Sequence, residues 1–289
     1  MLTDILADRI ASRNRLRDMN YLEWYKGHPP ALSPSSVGGC MRQAYFQAFQ
    51  GLPEHQEHVE KTHPFPPYVL SVMDSGVMYE ADTERKLRDF YGDQMLSQYS
   101  VWSPYNGMMW RGSIDFVVPK RGRTNLTIDY TIVEHKATAD HNFRIRDRLP
   151  YKHHLVQLMV YWHLVSRRNP QHGHECILMY RGWGQVAEYD VFMSDYTTED
   201  YVRHPRISWE GFKNGQYESG EYEFDVAGTM EQLEQAVARH RRPDGYASPV
   251  EEYGCARKTK QGWYPSCPYF GVCWPDWPQE GPFDEQSGA

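Results

Sequence analysis

The sequence predicts an α/β fold in which a mixed central β-sheet is flanked by helices. The N-terminal part of the chain has helical periodicity, and the middle contains runs of β-branched and aromatic residues. Helical and strand patterns then alternate, which is typical of layered α/β domains. With 289 residues, the chain is long enough for one large domain, or for one domain with an appendage.

The composition is typical of a soluble globular protein, with 40% hydrophobic residues, 24% charged residues and a mean hydropathy of -0.73. A net charge of -7 does not favour a general polyanion-binding surface, so any contact with DNA has to be local. The N-terminal segment "MLTDILADRIASRNRLRD" carries Asp and Arg inside its apolar pattern. This pattern is typical of an amphipathic helix and not of a signal peptide, so we expect a cytoplasmic protein.

Three helices are predicted in the first third of the chain. The first covers residues 1–27 and ends at the Pro/Ser-rich connector "GHPPALSPSS". Ser35 or Ser36 is expected to cap a second helix through "VGGCMRQAYFQAFQ", which places Cys40 in its first turns. The third helix is predicted from about residue 68 to 91 and includes "SGVMYEADTE". Its Glu80 shares a face with the residues four positions before and after it.

Strand patterns follow in "SQYSVW", "MMWRGSIDFVV" and "LTIDYTIVEHKA". A helix is predicted over 151–167, then strands at "ECILMY" and "VAEYDVF" and a helix at "TMEQLEQAVARH". A Pro/Gly-rich tail with three cysteines ends the sequence. This order of elements supports the mixed sheet with flanking helices.

The stretch "IVEHKAT" places Glu134 and Lys136 two residues apart, on one face of a strand. Asp115 lies in the preceding strand, and a hairpin of the two strands would bring all three side chains together. Neighbouring carboxylates repel unless a proton or cation lies between them, and oxygen ligands suit Mg²⁺ or Mn²⁺. The ammonium would then orient a water molecule or neutralise charge on phosphorus, which is the chemistry of phosphodiester hydrolysis.

Neighbouring helices offer further polar side chains. Glu80 supplies a third carboxylate, and Gln157 and Tyr161 share one face of the helix predicted over 151–167. Taken alone, Gln157 and Tyr161 are also compatible with an ordinary amphipathic helix. The order of the motifs along the chain is what favours a nuclease: an acidic helix, an Asp strand, a Glu-x-Lys strand and a Gln-x-x-x-Tyr helix.

That order resembles the RecB-like branch of the PD-(D/E)XK nuclease superfamily, over about residues 33 to 273. The resemblance implies a restriction-endonuclease-like core. It also implies functional roles for seven residues: Glu80, Asp115, Glu134 and the backbone carbonyl of His135 as ligands of Mg²⁺ or Mn²⁺, Lys136 as the catalytic lysine, and Gln157 and Tyr161 as residues that contact or position the DNA. Glu80 stands where the nearest relatives usually have His, and Ile114 stands where the superfamily name has Pro.

The sequence contains five cysteines, an odd number, and three of them lie in the last 35 residues. One cysteine near the start and three near the end resemble the arrangement of the AddB nuclease and of the CRISPR-associated RecB-like exonucleases, including phage-borne copies. The likeness implies a 4Fe-4S cluster, with zinc or simple burial as alternatives. The implied ligands are Cys40, Cys255, Cys267 and Cys273, whereas Cys176, in "ECILMY", is expected to be a core thiol.

The spacing of the last three cysteines departs from the family. Eleven residues separate Cys255 from Cys267, where relatives usually have two. A loop of that length can still close on a cluster because the cost of closure grows only logarithmically. The resemblance implies a division of the chain into an N-terminal helix and connector (1–32), a nuclease domain (33–245) and an iron–sulfur tail (246–289). The tail is expected to pack back on the helix that carries Cys40.

The segment "NFRIRDRLPYKHH" is the predicted DNA contact, although a solvated charged loop is an equally simple interpretation. Its basic residues are Arg144, Arg146, Arg148 and Lys152, with Phe143 as an aromatic for base stacking. The leading prediction is a metal-dependent exonuclease acting on single-stranded DNA or DNA ends, in recombination, repair, replication or CRISPR adaptation. The alternatives are a nuclease-fold DNA-binding or assembly subunit, beside a helicase, recombinase or CRISPR integrase, and a zinc-stapled DNA-binding module.

Overall fold

The computed structural model describes residues 30–49 apart from Gly39, then 67–105, 108–120, 130–138, 143, 149–168, 175–193, 206–213, 216–239, 256–259 and 262–265. The helix predicted over residues 1–27 lies outside this part of the chain. So do six of the predicted site residues, namely Arg144, Arg146, Arg148, Cys255, Cys267 and Cys273.

The described residues form helices and strands in the following order, in addition to two short 3₁₀ turns. They are β1 (Ala31–Leu32), α1 (Met41–Phe49), α2 (Pro67–Tyr91), β2 (Leu96–Tyr105), β3 (Met108–Pro119), β4 (Tyr130–Ala137), α3 (Lys152–Arg168), β5 (Glu175–Arg181), β6 (Val186–Met193), β7 (Arg206–Lys213), β8 (Gln216–Glu223), α4 (Val226–Ala238), β9 (Ala256–Thr259) and β10 (Gly262–Pro265).

Eight of the strands form one open, mixed sheet. Its order is β1-β3-β4-β5-β6-β7-β8, and β2 pairs with β3 as well. The pairs β1–β3 and β4–β5 are parallel, and the remaining pairs are antiparallel. Strands β9 and β10 form a separate antiparallel hairpin. The predicted α/β class with a mixed sheet and flanking helices is therefore confirmed.

Helices cover both faces of this sheet. One face packs against α3, whose apolar residues from Leu155 to Leu164 are buried in the larger core together with Ile132 and Leu178. The other face packs against α2, where Phe116 and Val133 form a smaller core with Leu87. None of the helices in the described part of the chain is both long enough and apolar enough to span a lipid bilayer.

The regular alternation of β3 side chains between the two faces of the sheet is interrupted at Asp115. Ile114 lies in the core on the α3 face, whereas Phe116 lies in the core on the α2 face. Residues two apart on a regular strand face the same side, so the strand is distorted between these positions. On the paired strand β2, Gln98 is opposite the distortion and has a φ of 49°, in the left-handed region that residues other than glycine rarely adopt. The candidate site lies at this irregular place in the sheet.

The predicted start of the Cys40 helix was wrong. Pro34–Ser36 form a 3₁₀ turn, and α1 begins only at Met41, so Cys40 precedes the helix. Gly38 interrupts the segment with a φ of 83°, and a Cβ at Gly38 would lie 2.8 Å from the Cβ of Val156 in α3. The close approach to α3 therefore requires a glycine, and a turn replaces the predicted first helical turns.

Five strands were missed: the short strands β1, β9 and β10, of two to four residues, and the longer neighbours β7 and β8. The antiparallel pairing of β7 with β8 joins Arg206 to Glu223 and Lys213 to Gln216. The signal was present in the sequence, because "RISWEGFK" and "QYESGEYE" flank Asn-Gly, the dipeptide most typical of a tight hairpin turn. The other predicted elements agree with the observed ones to within a few residues wherever the structure describes them.

Candidate active site

Strands β3 and β4 bring the predicted acidic residues together. They pair antiparallel from Phe116↔Val133 to Pro119↔Tyr130. Asp115 and Glu134 are the next two positions in that register, so they lie where the paired segment ends. The predicted hairpin of the Asp strand and the Glu-x-Lys strand is therefore confirmed.

Glu134 is buried at the centre of the site. Its Oε1 accepts hydrogen bonds from Lys136 Nζ at 2.5 Å and from Gln157 Nε2 at 2.7 Å. Its Oε2 is buried and has no hydrogen-bond partner among the described residues. Burial raises the pKa of Glu134 to about 8, and this effect exceeds the lowering by the Lys136 ammonium. A buried carboxylate with one open oxygen provides a place for a proton or a cation.

Asp115 is held by two donors from neighbouring strands. Its Oδ2 accepts a hydrogen bond from the backbone N–H of His135 at 2.8 Å, and its Oδ1 lies 3.4 Å from Nε2 of Gln98. Burial raises the pKa of Asp115, whereas the charge of Lys136 and the two hydrogen bonds lower it. The carboxylate is therefore fixed in orientation before any ligand binds.

Glu80 reaches the same place from α2. Its Oε1 accepts a hydrogen bond from Gln98 Nε2 at 2.5 Å. Burial raises the pKa of Glu80, and the negative charge of Asp115 raises it further. Helix α2 lies close to the sheet here, since a Cβ at Gly76, one turn earlier, would already be in van der Waals contact with the Cβ of Ala137, at 3.4 Å. Glu80 thus faces the sheet, as its helical spacing predicted.

The side chain of His135 points to the opposite face from Glu134. Its Nε2 lies 3.3 Å from Thr83 Oγ1 on α2, and the ring packs edge-on against Phe116. Burial, with the positive charges of Arg181 and Lys136, lowers the pKa of His135 to about 4. The imidazole is therefore neutral and structural, and only the predicted role of the backbone carbonyl remains open.

Gln157 and Tyr161 make internal contacts on α3. Gln157 donates to Glu134, and the Tyr161 hydroxyl donates to the Ser113 carbonyl of β3 at 2.8 Å. Tyr161 reaches the strand over Gly112, where a Cβ would lie 2.6 Å from the hydroxyl. Burial raises the pKa of Tyr161. The two side chains join α3 to strands β3 and β4, and their predicted contact with DNA stays a prediction.

Arg181, at the end of β5, positions elements of the candidate site, and it was not selected from the sequence. Its guanidinium donates to the Tyr79 carbonyl at 3.2 Å and to Thr83 Oγ1 at 2.7 Å, and it pairs with Asp82. These contacts hold α2 against the end of the sheet, next to the turn that carries Glu80. These partners lie about a hundred residues earlier in the chain, so no local sequence pattern reveals the role of Arg181.

The predicted DNA-binding segment is only partly described. Lys152 is exposed, and its Nζ lies 4.9 Å from the centre of the Tyr222 ring. Phe143, by contrast, is 1% exposed and belongs to the larger core. The expectation that Phe143 stacks on a DNA base was therefore wrong, because a core side chain has no free face. The DNA-binding roles of the basic residues stay a prediction.

Two of the five cysteines are described. Cys40 is buried immediately before α1. Cys176 is 2% exposed and packs in the larger core, as expected for a core thiol. The other three predicted cluster ligands lie outside the described residues, so the identity of a metal bound by cysteine stays a prediction.

The carboxylates fit a hard divalent cation. Glu80, Asp115 and Glu134 act on one another electrostatically, and each has a pKa raised from its ordinary value. Such a set loses its mutual repulsion when a cation binds. The described residues contain no group of three or more His, Cys, Asp or Glu side chains already gathered at metal-binding distance. The carboxylate oxygens are donors of the kind that Mg²⁺ or Mn²⁺ prefers. The Gln98 amide lies between two of these carboxylates, those of Glu80 and Asp115.

Comparisons with known proteins place the chain in no family. No family model matches the sequence, and no curated protein is significantly similar to it. A solved structure described as "Crystal structure of SSO0001" is similar over 83% of this chain and 86% of its own, with a TM-score of 0.42 and 15% sequence identity. A likeness this weak supports no conclusion about chemistry.

Proposed function

We propose that this protein is a metal-dependent deoxyribonuclease of the PD-(D/E)XK type, acting on single-stranded DNA or DNA ends. One observation carries the proposal: Glu134 is buried between Lys136 and Gln157, with one carboxylate oxygen lacking a partner among the described residues. Burying a charged group in this way is costly unless a ligand compensates for it. A purely structural ion pair would not require a buried carboxylate oxygen without a partner in a group that two further carboxylates, Glu80 and Asp115, also affect electrostatically.

The proposal assigns a separate task to each side chain. Glu80, Asp115 and Glu134 would hold Mg²⁺ or Mn²⁺, which supplies Lewis-acid activation of water and of the phosphate. The Lys136 ammonium would neutralise negative charge that develops on the phosphate during cleavage. Gln157 keeps Glu134 in its orientation.

Digestion of end-labelled DNA tests the proposal directly. We expect the purified protein to degrade single-stranded oligonucleotides in the presence of Mg²⁺ or Mn²⁺, and to be inactive with EDTA. Duplexes with blunt ends and closed circles provide the controls that separate exonuclease from endonuclease activity. Binding of DNA without cleavage under any of these metal conditions would favour the alternative, a nuclease-fold binding or assembly subunit.

We also propose a 4Fe-4S cluster on Cys40, Cys255, Cys267 and Cys273. The long interval between Cys255 and Cys267 includes the β9–β10 hairpin, whose first and last residues, Ala256 and Pro265, pair with each other. Residues 256–259 and 262–265 therefore fold back on each other, which supports a compact arrangement of this long interval. This support is independent of the resemblance, which rests on the order of the cysteines.

Metal analysis of anaerobically purified protein tests the cluster. We expect about four irons and four sulfides per chain, and a brown protein with charge-transfer absorption, as cysteine-ligated clusters have. Replacement of Cys40 by Ser should remove the colour, whereas replacement of the core thiol Cys176 by Ser is the matched control and should retain it. Stoichiometric zinc without iron or sulfide would contradict the cluster and support a zinc staple.

A further inference from the structure

The amide of Gln98 lies between two carboxylates of the candidate site. Its Nε2 is 2.5 Å from Oε1 of Glu80 and 3.4 Å from Oδ1 of Asp115. One NH₂ group therefore occupies the region that two negatively charged groups share, where a positive charge would be most favourable. The distances join three different elements, because Glu80 lies on α2, Gln98 on β2 and Asp115 on β3.

The backbone is distorted to place this amide. Gln98 has a φ of 49°, although it is neither glycine nor one of the residues that favour this region. Its neighbours pair normally with β3, as Ser97↔Phe116 and Tyr99↔Ile114. The distortion is thus confined to Gln98 and to Asp115 opposite it. Strained backbone of this kind persists only where the surrounding structure enforces it, and it is concentrated at functional sites.

We infer that Gln98 is a further metal-site residue, which holds Glu80 and Asp115 together when no cation is present and supplies a neutral amide oxygen to the divalent cation when one binds. The inference rests on the proposed function. A glutamine amide carries two donors and one acceptor on a single planar group, and its terminal torsion is soft. A half-turn of the amide exchanges the NH₂ group for the oxygen, which is a suitable ligand for Mg²⁺ or Mn²⁺.

Calorimetric titration with MnCl₂ in the absence of DNA tests this role without measuring activity. We expect the parent protein to bind Mn²⁺ at a site that Asp115→Asn eliminates. Gln98→Ala should weaken that binding by roughly tenfold or more, as removal of a residue that supports metal ligands does. Gln98→Glu retains an oxygen at the same reach, so it should bind Mn²⁺ at least as tightly as the parent does.

Two control variants distinguish the effect of the Gln98 side-chain amide from the effect of its backbone conformation. Gln98→Gly removes the side chain but suits a positive φ, so it should be more stable to heat than Gln98→Ala while losing the same affinity. Tyr99→Ala changes a neighbouring side chain that is 43% exposed and should leave Mn²⁺ binding unchanged.

The outcomes distinguish this inference from the proposed function. If Gln98→Ala binds Mn²⁺ as tightly as the parent or more tightly, Gln98 is only a spacer or a competitor, and the inference is wrong while the metal site stands. If the parent shows no Mn²⁺ site that depends on Asp115, the proposed function fails together with the inference.

Discussion

Replacing Lys136 by Ala, or Asp115 by Ala, is expected to abolish DNA cleavage without unfolding the protein. Lys136 supplies the only ammonium bonded to Glu134 among the described residues, at 2.5 Å, and Asp115 is fixed by the backbone N–H of His135. Loss of one such preorganised charge costs catalysis a factor of a hundred to a thousand, and loss of a metal ligand costs more. We expect a loss of at least about a thousandfold, or about 4 kcal/mol of barrier.

The rate of release of labelled nucleotides under single-turnover conditions measures this loss, and circular dichroism melting measures the fold. Asp115→Asn is the conservative companion, because it keeps an acceptor for the His135 N–H, which would otherwise be left unpaired at about 1–3 kcal/mol. Lys86→Ala removes an ammonium that is 60% exposed and pairs with Asp82 on α2, so it controls for a general loss of positive charge. Near-parental cleavage by folded Lys136→Ala would show that the lysine is not catalytic.

The central residues of the site could be predicted because their geometry is local. A period of two places Glu134 and Lys136 on one face, and a short connection between two strands brings Asp115 beside them. A period of about four places Glu80 and Gln157 on the correct helix faces. In each case one element, or one pair of adjacent elements, determines the position, and the structure confirms it.

The residues that could not be predicted depend on contacts between distant parts of the chain, which no local sequence pattern encodes. Gln98 looks like any polar residue in an exposed strand, and its role follows from a left-handed φ and from a helix that approaches across the sheet. Arg181 acts through Tyr79, Thr83 and Asp82, about a hundred residues earlier in the chain. Phe143 was misjudged for a related reason, because a charged segment in sequence does not reveal which of its members turns into the core.

The second large effect expected is on stability, since Glu134→Gln should stabilise the cation-free protein at pH 8. Burial raises the pKa of Glu134 from its ordinary value of 4.5 to about 8. The folded state therefore binds a proton more tightly than the unfolded state. This contribution is fully present below pH 4.5 and is lost as the pH rises to about 8, at up to about 1.4 kcal/mol per pH unit. A glutamine at this position has no titrating proton, so the variant does not lose this stability as the pH rises.

Buried histidines change the folding stability with pH in the opposite direction, so their contribution has to be separated from that of Glu134. Burial lowers the pKa of His135 to about 4 and of His154 to about 2, and it also lowers that of His153. Their stabilising effect is lost as the pH falls below the ordinary histidine value of 6.5. At pH 6.5 these histidines are still about half protonated in the unfolded state, but they contribute in the same way to the parent and to Glu134→Gln, so the difference between the two proteins reports Glu134.

Melting curves of the parent and of Glu134→Gln, recorded with EDTA from pH 6.5 to 8, measure the effect. We expect the parent to lose stability across this range and the variant to lose much less. Glu80 and Asp115 remain in both proteins, so the difference between the two curves isolates Glu134. Parallel curves would mean that Glu134 is already ionised in the folded protein and that its buried oxygen has another partner.

Repeating the melts with Mg²⁺ connects this stability to the proposed chemistry. A cation at the site takes the place of the proton, so Mg²⁺ should remove most of the parent's loss between pH 6.5 and 8. The variant has lost the carboxylate and should gain little from Mg²⁺. The same substitution that stabilises the cation-free fold should therefore eliminate cleavage, because the proposed function makes Glu134 a metal ligand. A parent protein that Mg²⁺ does not stabilise would separate the raised pKa of Glu134 from metal binding.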